Sequence, residues 1–88
     1  PEITAQDAAL VADRIRRTLA SRDFTGDGGV IRVTASFGVV GLSPDGAENV
    51  SYDELFMLAD KLLYRSKKDG RNCVYYSVFG SGECRRCG

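Results

Sequence analysis

Two cations near the end of the chain have the types and spacing to do chemistry. Lys67 and Arg71 lie four positions apart within Leu58-Ala59-Asp60-Lys61-Leu62-Leu63-Tyr64-Arg65-Ser66-Lys67-Lys68-Asp69-Gly70-Arg71-Asn72. A lysine ammonium and an arginine fork one helical turn apart can grip a phosphate, because fixed donors meet anionic oxygens at low entropic cost. Asp60 and Tyr64 precede Lys67 at spacings of four and three, so the three share one helix face. The same cations have a plainer role open to them. Lysine and arginine in a last helical turn complement the negative end of the helix dipole. Spacing leaves both readings open.

The element that carries these residues reads as an amphipathic helix. Leu55, Leu58, Ala59, Leu62 and Ser66 recur at helical spacing and define its buried face. Ser51-Tyr52-Asp53-Glu54 is a capping box, and Val50 with Leu55 supplies a hydrophobic staple. The helix is expected to run to Lys68 or Asp69, with Gly70 taking the left-handed conformation that ends it. Cys73 to Phe79, rich in β-branched and aromatic residues, reads as the strand that follows.

Upstream, Thr4-Ala5-Gln6-Asp7 reads as a second capping box. Ala8, Val11, Ala12, Ile15 and Leu19 then form an apolar stripe through about Ala20, with Asp13, Arg14, Arg16 and Arg17 on the other faces. Ser21 to Gly29 is a loop with a turn at Asp27-Gly28 and a short strand at Phe24-Thr25. Val30 to Val40 alternates with period two, which predicts one continuous strand. Gly38 within it marks a close backbone approach. Thr34 and Ser36 are either hydrogen-bond donors behind a site or small polar residues on a covered face. Gly41 to Val50 is a loop around the turn tripeptide Pro44-Asp45-Gly46.

Ala59-Asp60, Leu63-Tyr64, Lys67 and Gly70-Arg71-Asn72 resemble the closing signature A-D-x-x-L-Y-x-x-K-x-x-G-R-N of GGDEF domains, the diguanylate cyclases. Val33-Thr34-Ala35-Ser36-Phe37-Gly38-Val39 is similar to that family's V-T-x-S-x-G-V strand, and Ala9 through Arg16 to its A-x-x-L/I-A-E-R-I-R helix. The three motifs occur in the family's order and cover most of Pro1 to Tyr76. The Gly-Gly-Asp/Glu-Glu-Phe signature itself does not occur, since Gly28-Gly29 is followed by Val30-Ile31.

The resemblance implies a palm-like α/β domain (an α+β sandwich) that joins two GTP molecules into cyclic diguanylate with magnesium, two domains meeting head to head. In the family the metal carboxylates and the guanine-recognising residues lie upstream of what Pro1 begins. The chain is therefore expected to be the α-β-α-β C-terminal half of the fold, residues 1–79, followed by a flexible tail, residues 80–88. Only the phosphate-facing cations carry over, onto Lys67 and Arg71. Arg14 matches an arginine of the family's inhibitory site, although the Arg-x-x-Asp that forms the main part of that site is absent; a solvated helix arginine is the plainer reading. The expectation is an inactive chain with no catalytic residue, metal ligand or cofactor of its own, and weak binding of GTP or cyclic diguanylate. The alternative is a small self-associating module without a nucleotide role, a homodimer through the open edge of Ile31 to Val40.

Composition narrows the classes further. Lys+Arg 12 balance Asp+Glu 12 over 88 residues, which argues against a general nucleic-acid or anionic-membrane binder. A hydrophobic share of 43% suits one small globular domain rather than a disordered chain. There is no apolar run of membrane-spanning length and no signal peptide opens the sequence, so a cytoplasmic setting is expected. Three cysteines do not make a disulfide framework. Cys84-Arg85-Arg86-Cys87 has the spacing of a redox pair or half a zinc site, but the chain has no histidine and only Cys73 besides, too few for four zinc ligands.

Overall fold

The structure, a computed structural model, describes residues 4–43 and 50–88. The Pro44-Asp45-Gly46 turn lies outside them. Helix α1 (Ala5–Ala20) starts with the reciprocal capping box foreseen from sequence. The Asp7 N–H donates to Thr4 Oγ1 at 3.1 Å, and the Thr4 N–H donates to the Asp7 carboxylate at 3.3 Å. Strands β1 (Asp23–Gly26) and β2 (Gly29–Arg32) form an antiparallel hairpin around Asp27-Gly28, closed by an Asp23–Arg32 ion pair of 3.0 Å. Strand β3 (Phe37–Gly41) pairs in parallel with β4 (Val74–Val78), and helix α2 (Tyr52–Lys68) makes the crossover between them. Strand β5 (Arg85–Cys87) pairs antiparallel with the far edge of β4, giving the sheet order β3-β4-β5.

The two helices cover opposite faces of this sheet. Ala9 and Ala12 of α1 pack with Val74, Phe37, Val39, Tyr76 and Cys87. Leu58 and Leu62 of α2 pack with Cys73, Tyr75 and Val40 on the other side. Alternation along β3 and β4 sends successive side chains to the two layers. Central strand β4 accordingly has its first two residues and Ser77 buried.

Three expectations need correction. The strand foreseen over Val30 to Val40 is two strands with different partners: residues 29–32 bond to β1, and residues 37–41 bond to β4. Residues 33–36 connect the hairpin to the sheet and are not strand. Period two survives a change of partner, because each segment is extended on its own account. The packed face of α1 is also rotated from the stripe of larger residues. Ala5, Ala9, Ala12 and Asp13 are buried, whereas Val11 and Ile15 are 61% and 47% exposed. Close approach decides this, since alanines let the helix backbone sit near the sheet where larger residues would hold it off. Finally, the segment 80–88 is not frayed throughout, because β4 offers it an edge and Arg85–Cys87 take it.

Two glycines set the layer spacing. A Cβ on Gly38 would sit 2.6 Å from the Ala59 carbonyl oxygen and the Leu63 nitrogen of α2. A Cβ on Gly41 would meet the Ala5 Cβ of α1 at 2.5 Å. The close approach expected at Gly38 is therefore a contact with helix backbone, which cannot rotate away. At the end of α2, the Tyr75 hydroxyl donates to the Asp69 carboxylate and the Arg65 guanidinium lies 5.1 Å from the centre of the Tyr75 ring. The phenol's hydrogen bond foremost, then Arg65, holds the Asp69 carboxyl below its usual range. The same bond to Asp69, with burial, pushes the Tyr75 phenol up.

Two outcomes follow from this packing. Gly38→Ala is expected to lose about 1–3 kcal/mol in urea denaturation, the cost of overpacking against an immovable neighbour; an unchanged midpoint would mean that α2 does not approach so closely. The Asp69–Tyr75 contact needs an ionised acid and a neutral phenol. Its contribution is fully present above the ordinary carboxylate value of about 4 and is lost as pH falls through the depressed Asp69 value. It is also present below the ordinary phenol value of about 10 and lost as pH rises through the raised Tyr75 value. Melting temperature against pH should show this plateau, and Asp69→Asn should flatten its acid limb.

Candidate functional site

Helix α2 delivers Lys67 to its last turn and then stops abruptly. Ser51 caps its start, its Oγ accepting the Glu54 N–H at 3.1 Å. Leu62 and Ser66 are its fully buried positions, on the face read from the sequence. Asp60, Tyr64 and Lys67 are all exposed on the outer side. Gly70 then adopts φ 109, followed by Arg71 at φ 61 and Asn72 at φ 51. Three consecutive residues in the left-handed region turn the chain from α2 into β4. The glycine was expected there; its two successors were not. An ordinary residue bearing a Cβ gives up about 1–2 kcal/mol in this conformation, and asparagine tolerates it better.

Such a turn persists only where its surroundings over-determine it, and here every side contributes. The Arg71 N–H donates to the Ser66 carbonyl at 2.9 Å. The Ser66 hydroxyl, buried, donates to the Cys73 carbonyl at 2.7 Å. The Asn72 N–H donates to Ser36 Oγ at 3.1 Å. From α1, Arg16 Nη1 donates to the Asn72 side-chain oxygen at 3.1 Å and lies 3.3 Å from the Asn72 carbonyl. Arg16 is itself fixed through its Nε by Asp13 at 2.7 Å, and Arg17 takes the other carboxylate oxygen at 3.1 Å. What emerges is a rigid turn with the exposed Arg71 just past the helix end that bears Lys67. Neither cation forms an ion pair among the described residues.

Sequence reading singled out Lys67 and Arg71 as candidates and missed the residues that hold the turn at Arg71 in place. Ser36 stood between two readings and proves to be a hydrogen-bond acceptor behind the turn; Thr34 is exposed in the connecting segment. Asp13 and Arg16 lie off the apolar stripe read from the sequence, yet their side chains are only 12% and 13% exposed. Their spacing of three residues was a usable sign of a helical ion pair. Arg14 is exposed and borders a shallow hollow with Arg17, Thr18 and Ser21. No hydrogen bond or ion pair joins it to Lys67 or Arg71 among the described residues.

The other candidates resolve differently. Cys87 packs among the α1-side core residues, where burial foremost and then Asp13 push its thiol up. Cys84 lines a groove on the α2 side with Leu58, Leu62 and Arg65. The two thiols thus serve opposite faces of the sheet and all three cysteines are free. Among the described residues no three His, Cys, Asp or Glu side chains converge as a metal site would require. No helix of the described residues is long and apolar enough to cross a membrane.

Comparison with known proteins agrees with the motifs on this turn. The family model described as "Diguanylate cyclase, GGDEF domain" matches residues 1–73. The chain is 35% identical over 79 residues to "Probable diguanylate cyclase DgcF" of Escherichia coli K12, covering 82% of this chain and 23% of that protein. It is 40% identical over 74 residues to "Diguanylate cyclase A" of Treponema denticola, covering 84% of this chain and 19% of that protein. The chain thus spans about a fifth of each relative's length, and the family match reaches through the turn as far as Cys73. The chain belongs to the GGDEF domain family of diguanylate cyclases.

Proposed function

We propose that Lys67 and Arg71 are the phosphate-facing part of a GTP site of the diguanylate cyclase type, in a cytoplasmic signalling protein of the cyclic diguanylate system. One observation supports this above the others. The locked left-handed turn fixes Arg71 outside the helix while Lys67 sits in its last turn, and both cations stay available to an anion. The family implies magnesium. The described residues do not fit it, since Asp13 is engaged by two arginines, Asp69 by Tyr75 and Arg65, and no carboxylates cluster. No chemical step is therefore assigned to this chain, which we read as an inactive remnant of the site. Exposed charge pairs contribute roughly 0.2–1 kcal/mol each, so two of them support GTP binding no tighter than about millimolar strength.

The expected result is that the 88-residue chain makes no cyclic diguanylate from GTP with magnesium or manganese. Product above a no-protein control would overturn the inactive reading. Calorimetry should give a dissociation constant of about a millimolar, weakened roughly two- to fivefold by Lys67→Ala or Arg71→Ala. A low-micromolar value, or affinity indifferent to both changes, would remove the phosphate role.

A second reading, self-association, has its own support. Strand β3 is an edge of the sheet among the described residues, and such a strand offers unpaired backbone groups to another chain. Beside it Val40, Leu42, Tyr52, Leu55, Phe56 and Ala59 line an apolar hollow of about 330 Å³. The surface proposed for a homodimer is accordingly β3 with this hollow. Ile31 and Arg32, at the start of the edge expected over Ile31 to Val40, are already paired with β1. Sedimentation at micromolar concentration should show a dimer, and Phe56→Glu, at a position exposed in the monomer, should return it to a folded monomer that lacks only the stability contributed by association. Monomer alone in the parent protein would exclude this reading.

A further inference from the structure

The geometry points to Arg16 as a positioning residue: by holding Asn72 it sets the left-handed backbone of Arg71 and hence the direction in which that cation meets a phosphate. This rests on the phosphate role of Arg71 proposed above and extends it to a residue 56 positions earlier that itself touches no ligand.

Arg16 is built into the fold as a latch. Its Nε is spent on Asp13 at 2.7 Å, and its Nη1 reaches both oxygens of Asn72, at 3.1 Å and 3.3 Å. A planar guanidinium can make these contacts at once because its donors are fixed relative to one another. The third hold on Asn72, its N–H to Ser36 Oγ, comes from the segment leading into β3. Asn72 is thus bound by its amide, its carbonyl and its side chain, to residues on two other elements.

Among the described residues Arg71 has one such hold, its N–H on the Ser66 carbonyl. Its neighbour therefore decides whether it stays at φ 61. With Asn72 released, Arg71 is free to relax to negative φ, where most residues prefer to lie. That change redirects the Cα–Cβ bond, and with it the guanidinium. Arg17 is no substitute, because it pairs with the other Asp13 oxygen and is 65% exposed.

The test uses the full chain and GTP as probe, with affinity and ligand-free amide resonances followed by NMR. Arg16→Ala should weaken GTP binding by about the same two- to fivefold factor as Arg71→Ala. The double variant should be no weaker than Arg71→Ala alone, since both changes remove one contact. Without ligand, the amide resonances of Arg71 and Asn72 should move in Arg16→Ala while those at the centre of the sheet stay in place. Should Arg16→Ala not fold, the pair Asp13→Asn with Arg16→Gln removes the latch without leaving a lone carboxylate, and the same readings apply. Unmoved Arg71 and Asn72 resonances, or additive losses in the double variant, would overturn the positioning role. If Arg71→Ala alone leaves GTP binding unchanged, the phosphate role of Arg71 falls, and any function of the latch in binding falls with it.

Discussion

A helix that crosses over between two parallel strands must reverse into the second strand without stranding buried backbone groups. In this domain the reversal takes four residues, from Asp69 to Asn72. The buried Ser66 makes it possible. Its carbonyl receives the Arg71 N–H and its hydroxyl donates to the Cys73 carbonyl, which also accepts the Phe37 N–H from β3. Helix, turn and both strands therefore meet at one small polar centre in an otherwise apolar layer. Removing one partner from a buried centre of this kind costs about 1–3 kcal/mol for each group left unpaired. The exposed cations inherit their placement from it.

Much of this was legible in local sequence signals, because local physics produced them. Thr4 and Ser51 cap the helices, Gly70 ends α2 and Gly38 marks the close approach, each through a constraint that a few neighbouring residues contain. Lys67 and Arg71 were legible as residue types at a spacing. The failures share a different origin. Which face of α1 packs depends on how near the sheet lies, and Gly41 against Ala5 settles that from outside the helix. The break in the long alternating segment depends on partners at Asp23–Gly26 and Val74–Val78, which the segment does not contain. The grip of Arg16 on Asn72 joins two helices' ends across most of the chain, and no periodicity reports it.

The cysteine pair shows the same limit of local reading. A C-x-x-C spacing brings two sulfurs together in a turn or helix start, but not along a strand, where three positions span about 10 Å and the side chains alternate in direction. Once Arg85–Cys87 joins β4, Cys87 serves as core and Cys84 as groove lining. The glycine-flanked segment finds its structure in the edge that β4 offers.

That last strand gives the sheet a polarity. At one side β5 is three residues long and carries Arg85 and Arg86, both poor invitations to a further strand because short, charged edges template weakly. At the other side β3 is five residues of glycine, valine and phenylalanine. Among the described residues the two margins therefore differ in chemistry: arginine side chains flank the backbone groups at β5, whereas glycine, valine and phenylalanine without any charge flank those at β3.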